Sequence, residues 1–170
     1  MKRKSASLVF MVNAPISSTW DFLSDIEKVG SCVPGVEKVE VIDKETKHSR
    51  WTYKVKVGFV YKTFKIMTRM TYQVAPEEAR FEGHSEDGFM TMKGGIRNEA
   101  AGEEATRVCY ELDVFPGEAI PASLYTLLEG VIRERAQRDA EQFARNVKKN
   151  VEANPDSGDD QDGNIISIGG

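Results

Sequence analysis

At 170 residues, with 40% hydrophobic and 29% charged side chains, the chain has the size of one globular domain with a sizeable core. Its net charge of −4 comes from Asp156, Asp159, Asp160 and Asp162. These are four of the 27 acidic side chains, and the other 23 balance the 23 basic ones. A neutral body lacks the basic excess of a nucleic-acid-binding domain, and no run approaches the roughly 20 apolar residues that span a bilayer.

Residues 1–4 are basic, but the stretch after them is too short and strand-like for a signal-peptide core, so a cytoplasmic protein is expected. Cys32 and Cys109 lack metal-type spacing and are read as reduced and buried. The first element is a strand, with Leu8, Phe10 and Val12 on one face, stopped by Asn13-Ala14-Pro15. Residues 16–24 read as a short helix with Trp20 and Leu23 inward and Ser17 or Ser18 as N-cap. A second short helical turn over 25–31 ends at Cys32-Val33-Pro34-Gly35, where proline and glycine reverse the chain.

Period-two alternation then dominates. Strands are expected over 36–43, 49–57, 63–74, 80–85, 89–99 and 105–115, joined by short hairpin-like connections. Consecutive strands with such links make an antiparallel meander, one face covered and one wet. Pro116-Gly117 ends the last strand, and Pro121 opens a helix running to Val151. Its apolar stripe passes through Leu124, Leu128, Ile132, Ala136, Ala140, Phe143 and Val147. One helix cannot cover seven strands, so the sheet must curl around it. The small alanines allow close approach at mid-helix, and the bulkier N-terminal half stands over open space.

Residues 154–170 form a Gly- and Asp-rich tail that cannot bury enough apolar surface to fold alone. Two units follow: a domain over 1–153 and a flexible acidic tail over 154–170. The small apolar patch Ile165-Ile166-Ser167-Ile168 is expected to stay idle rather than add a strand.

Val12-Asn13-Ala14-Pro15, Trp20, Leu23, Asp25 with Glu27, Cys32-Val33-Pro34-Gly35, Gly94-Gly95 and the terminal amphipathic helix together carry a resemblance. Over residues 5–151 the chain resembles the START-like lipid-transfer and polyketide cyclase (SRPBCC) superfamily, and within it the carbon monoxide dehydrogenase G-subunit family. The resemblance implies an α+β helix-grip fold: a seven-stranded curved antiparallel sheet wrapped around one long C-terminal helix, with two short helices after the first strand. It also implies a hydrophobic cavity between sheet and helix, and a non-catalytic role carrying a lipid- or quinone-like ligand as accessory to a molybdenum hydroxylase. The acidic tail lacks the membrane-associating extension of some relatives, so at most peripheral contact with the inner membrane face is expected.

On that fold the cavity wall is expected from Trp51, Tyr53, Phe64, Ile66, Met70 and Tyr72 in the earlier strands. Phe81, Met90, Met92, Tyr110 and Leu112 continue it, under a roof of Leu124, Leu128 and Ile132. The plain alternative for each is ordinary core packing. Methionines adapt to varied apolar partners, and the hydroxyls of Tyr53, Tyr72 and Tyr110 are candidates to orient a ligand carbonyl, against a wet rim position. His84 is expected to face solvent, and Gly94-Gly95 to mark a bulge or bend. No nucleophile–base pair, phosphate loop or metal cluster is present, so no catalytic residue, metal or cofactor is assigned. The alternatives are a polyketide cyclase or dehydrase-like enzyme using the same cavity, and a protein-interaction module.

Overall fold

Period-two alternation resolves into one curved antiparallel sheet. The computed structural model describes residues 5–57, 59–153 and 165–167. β1 (Ala6–Val12) is followed by α1 (Ile16–Leu23) and α2 (Ile26–Cys32). The meander is β2 (Val36–Asp43), β3 (His48–Val57), β4 (Val60–Val74), β5 (Glu78–Ser85), β6 (Met90–Ala100) and β7 (Thr106–Pro116). Then come α3 (Ala122–Glu152) and β8 (Ile165–Ser167). The strand order is β2-β3-β4-β5-β6-β7-β1-β8, every neighbour antiparallel. This is the helix-grip arrangement, with α3 in the grip of the sheet.

The eighth strand departs from expectation. Ile165–Ser167 pairs with β1 from Leu8↔Ser167 to Phe10↔Ile165. Without it β1 would be an edge with unpaired backbone groups, which favours strand addition. The rest of the expected tail lies outside the described residues. The short helices also start differently. Pro15, not a serine, stands at the N-cap of α1 and gives it no side-chain cap, its carbonyl taking the Thr19 N–H at 3.0 Å. Asp25 caps α2 by accepting from the Lys28 N–H at 3.2 Å.

The core lies between β1 and the C-terminal half of α3. Leu8, Phe10 and Val12 are buried against Ala140, Phe143, Ala144, Val147 and Val151. The small alanines let the helix backbone close on the strand, as their spacing predicts. Cys32 is buried beneath this helix, where Asn146 Nδ2 donates to its carbonyl at 2.8 Å. Burial raises the Cys32 thiol pKa, which suits a packing role rather than a reactive one. Cys109 is only half-buried, because it takes the outer face of β7, opposite Val9 and Arg97.

The last turn of α3 is tied down by charge. Lys148 Nζ donates to Glu152 Oε2 at 2.8 Å, with both side chains almost wholly buried. Glu152 also accepts from the Asn13 backbone N–H at 3.2 Å and from Asn13 Nδ2 at 3.3 Å. The turn after β1 and the end of the chain's longest helix therefore share one carboxylate. Removing one partner of a buried pair leaves an uncompensated charge. Glu152→Ala is expected to cost about 3–5 kcal/mol of unfolding free energy. Glu134→Ala, which breaks the exposed pair with Arg138, should change it by about 0.5 kcal/mol or less. Urea titration of both variants against the parent checks the contrast.

Candidate ligand-binding site

The strand pairings decide which side chains share the concave face with α3. Trp51, Ile66 and Ser85 lie in one row across β3, β4 and β5. Met70, Phe81, Gly94 and Leu112 lie in another, across β4 to β7, and Gly83, Met92 and Val114 in a third. Phe64 and Ile66 are buried, while Tyr53, Met70, Phe81, Met90, Met92, Tyr110 and Leu112 are half-buried. The C-terminal half of α3 occupies the β1–β7 side. Its N-terminal half covers β3–β6 poorly: Leu127 is 80% and Val131 61% exposed. The inner surface of the middle strands is therefore an apolar strip with an incomplete roof.

Polar groups meet where the close-packed half of α3 gives way to the open half. The Tyr53 hydroxyl donates to Asp139 Oδ2 at 2.6 Å, and Arg135 Nε donates to the same oxygen at 3.2 Å. Burial first, then the hydrogen bond and negative charge of Asp139, push the Tyr53 hydroxyl well above the usual tyrosine pKa. Burial and Asp139 do the same to Tyr110, whose ring packs on Phe143 at 5.6 Å between centroids. Among the described residues the Tyr110 hydroxyl has no hydrogen-bond partner. Both phenols remain neutral donors beside a carboxylate. Asp139 and Arg135 escape sequence reading because their (i, i+4) spacing looks like any surface helix pair.

Several expected positions are corrected by the geometry. A register shift between Met70 and Tyr72 places Tyr72 opposite Arg80, on the outer face, so it does not line the strip. Leu124 is displaced as roof by Tyr125, which is buried and donates to the Val114 carbonyl at 2.8 Å. The buried stripe of α3 thus begins one residue later than the apolar spacing suggests. Leu128 and Ile132 are half-buried on that side. Trp51 is half-buried, its Nε1 donating to Ser49 Oγ at 2.9 Å and Thr68 Oγ1 at 3.0 Å. Gly94-Gly95 is neither bulge nor register break. A Cβ on Gly94 would lie 2.6 Å from the Phe81 ring, so the glycine makes room for that ring. Met67 lies on the outer face between Arg50 and His84, and His84 is exposed as expected.

A recess of about 20 Å³ lies under the start of α3, bounded by Ser5, Val114, Tyr125, Ile132 and Arg133 among others. That is room for about one water molecule. Among the described residues no group of three or more His, Cys, Asp or Glu could hold a metal ion. No helix among them is long and apolar enough to cross a membrane.

The family model for the carbon monoxide dehydrogenase G subunit (CoxG) matches residues 9–152. The chain belongs to this family. No curated protein sequence matches it. Among solved structures it is similar to a protein from Thermus thermophilus, at 22% identity and a TM-score of 0.70, covering 88% of this chain and 98% of that one. It is also similar to the Zhui aromatase/cyclase from Streptomyces sp. R1128, at 18% identity and a TM-score of 0.65, covering 88% and 96%. A START superfamily protein from Mycobacterium smegmatis matches at 17% identity and 0.59, covering 86% and 95%. These likenesses establish the START-like fold.

In this CoxG chain the Cys-Val-Pro-Gly turn helps to place the polar cluster. Gly35 has φ +85°, and a Cβ there would lie 2.8 Å from both the Lys54 carbonyl and the Tyr53 ring. Its carbonyl accepts the Lys54 N–H at 2.8 Å. Only glycine combines that dihedral with that contact, so the turn seats Tyr53 for its bond to Asp139. The raised phenol pKa values make an alkaline prediction. Unfolded tyrosines ionise near 10, so above that pH the unfolded state binds fewer protons than the native one and stability falls. Tyr53→Phe/Tyr110→Phe should therefore lose less stability between pH 8 and pH 11 than the parent, measured by urea unfolding at the two pH values.

Proposed function

We propose that the chain binds a small hydrophobic molecule, lipid- or quinone-like, on the concave strip between β3–β6 and the N-terminal half of α3. The observation that carries this reading is the half-buried apolar surface of Met70, Phe81 and Met92 beneath the more weakly packed half of α3, where Leu127 and Val131 stand exposed. Such a surface is costly to leave in water, and pockets of this kind are apolar with a few placed polar groups. Tyr53, Tyr110 and Asp139 are those groups. Membership in the CoxG family supports the further reading that the protein serves a molybdenum hydroxylase of the carbon monoxide dehydrogenase type, in the cytoplasm or at the inner membrane face.

The polar cluster also favours a second reading, a cyclase-like enzyme. A carboxylate beside two neutral phenols can take a proton from carbon and donate to a ketone oxygen. Turnover of a poly-β-keto thioester, followed by absorbance and abolished in Asp139→Asn, would establish it. A parent protein inert towards that substrate removes it.

Ligand carriage is tested by native mass spectrometry of protein prepared without detergent, with displacement of a fluorescent fatty-acyl probe alongside. A bound apolar species and saturable probe binding are expected. Met92→Trp, which fills the strip, should weaken probe binding at least tenfold while leaving the fold intact by circular dichroism. A parent protein with neither ligand nor probe binding sinks the reading.

A further inference from the structure

The β3–β4 ribbon runs past both of its neighbours. Pairing of β2 with β3 reaches only Tyr53, and pairing of β4 with β5 begins only at Ile66. Pairing of β3 with β4 nevertheless continues to Val57↔Val60. The Lys54 N–H still donates to the Gly35 carbonyl, and the Lys65 carbonyl takes the Glu86 N–H, so three residues of β3 and five of β4 extend as a two-stranded finger, roughly 10–17 Å long at about 3.3 Å per residue. An isolated two-stranded ribbon is at best marginally stable in water, yet this one ends in bulky apolar side chains. Phe59 is 99% exposed, Val60 68% and Tyr61 60%.

Lysines ring the finger just behind its tip. Lys56 pairs across the ribbon with Tyr61, and Lys54 with Thr63, on the outer face; Lys62, opposite Val55, takes the inner one. The Lys54 and Lys56 ammonium groups lie 4.9 and 5.8 Å from the centre of the Tyr61 ring. Among the described residues neither has an acidic partner within ion-pair distance. Lys62 is 3.2 Å from Asp87 and also stands over the Phe64 ring. Other exposed acids at this end of the sheet are Glu37, Glu118 and Glu86, the last bonded to Arg50 at 2.8 Å. The two free lysines sit about two to four residues behind the tip, roughly 7–13 Å along the strand. That offset matches an apolar tip buried about 5–10 Å at the acyl boundary with ammonium groups at headgroup level.

We propose that the β3–β4 finger is a docking element for an anionic lipid surface, with Phe59, Val60 and Tyr61 entering the interface and Lys54 and Lys56 held at the phosphates. The finger stands at the end of the sheet where β6 begins, β7 ends and α3 starts. Docking there turns the open end of the concave strip and the exposed Leu124 and Leu127 towards the bilayer. The proposal depends on the surface of the finger, not on what the strip binds.

Sedimentation with vesicles tests it, using phosphatidylcholine alone and an equal mixture with phosphatidylglycerol. The parent protein should bind the anionic vesicles, bind phosphatidylcholine weakly, and be released by salt. Phe59→Ser should lower partitioning at least tenfold, and Lys54→Ala/Lys56→Ala by about fivefold for each lysine. Ile42→Ser, a control at the opposite end of the sheet, should leave it unchanged. Phe59→Trp should show a blue-shifted emission on adding anionic vesicles. A parent that stays in the supernatant, or finger variants that partition like the parent, overturns the proposal. Capture of an acidic protein without vesicle binding overturns it too. Because the fluorescent-probe assay runs without vesicles, failure here is distinct from failure of the ligand reading.

Discussion

Everything else in this molecule follows from where α3 is fastened. Its C-terminal half closes on β1 through Ala140, Ala144, Val147 and Val151 and ends in the buried Lys148–Glu152 pair that also holds Asn13. A helix of 31 residues, about 46 Å long, cannot then pack equally closely on every strand of a curved sheet. Close packing at one end leaves the other more lightly held, by the buried Tyr125 on Val114, with Leu127 and Val131 exposed. The uncovered strip over β3–β6 is therefore a consequence of the seam, and a buried polar device fixes it. Pairs of this kind are weak evidence for net stability but good evidence for register. Here the register is the position of the helix end against the β1–α1 turn.

The boundary between the closed and open halves of α3 is also where its chemistry concentrates. Asp139 directly precedes Ala140, the first buried alanine of α3, Arg135 lies one turn before Asp139, and Tyr53 reaches them from β3 because Gly35 lets its ring lie against the turn. Burial first, and the Asp139 carboxylate after it, keep both phenols protonated, so the strip ends in hydroxyls rather than charges. With the Tyr53 proton given in a hydrogen bond to Asp139, the Tyr110 hydroxyl is the donor that the proposed carriage or catalysis would offer to a carbonyl. The fold alone does not choose between those outcomes, since START-like structures include an aromatase/cyclase.

The strand order, the two short helices, the long helix and the close approach of its alanines were legible because each rests on periodicity or turn chemistry, which are local. The misses share a different origin. Tyr72 leaves the inner face because a register shift between Met70 and Tyr72 breaks the alternation that strand reading assumes. Tyr125 replaces Leu124 because helix rotation is set by the far end of α3, more than four turns away. Gly94 serves the Phe81 ring on the next strand, a contact with no trace in the glycine's own neighbourhood. Strand β8 forms because β1 needs an edge partner, and that need belongs to the sheet rather than to residues 165–167. The START-like fold and the CoxG family were legible from short motifs. The polar cluster was not, since half of it looks like solvent-facing helix.

The finger and the strip are two answers to one problem. A surface that binds an apolar molecule from water must be exposed beforehand, and exposed apolar surface invites aggregation. The concave strip limits this by curvature and by the partial cover of α3. The finger has no cover, so its apolar tip is tolerable only if small and flanked by charge. Phe59, Val60 and Tyr61 are three residues with unpaired lysines immediately behind them, which satisfies both conditions. Gatekeeping charges alone would be served equally well by acids. In a body with no net basic excess, lysines at this protruding apolar tip select for contact with negative charge. That selection, rather than apolar exposure alone, makes an anionic lipid surface the fitting partner.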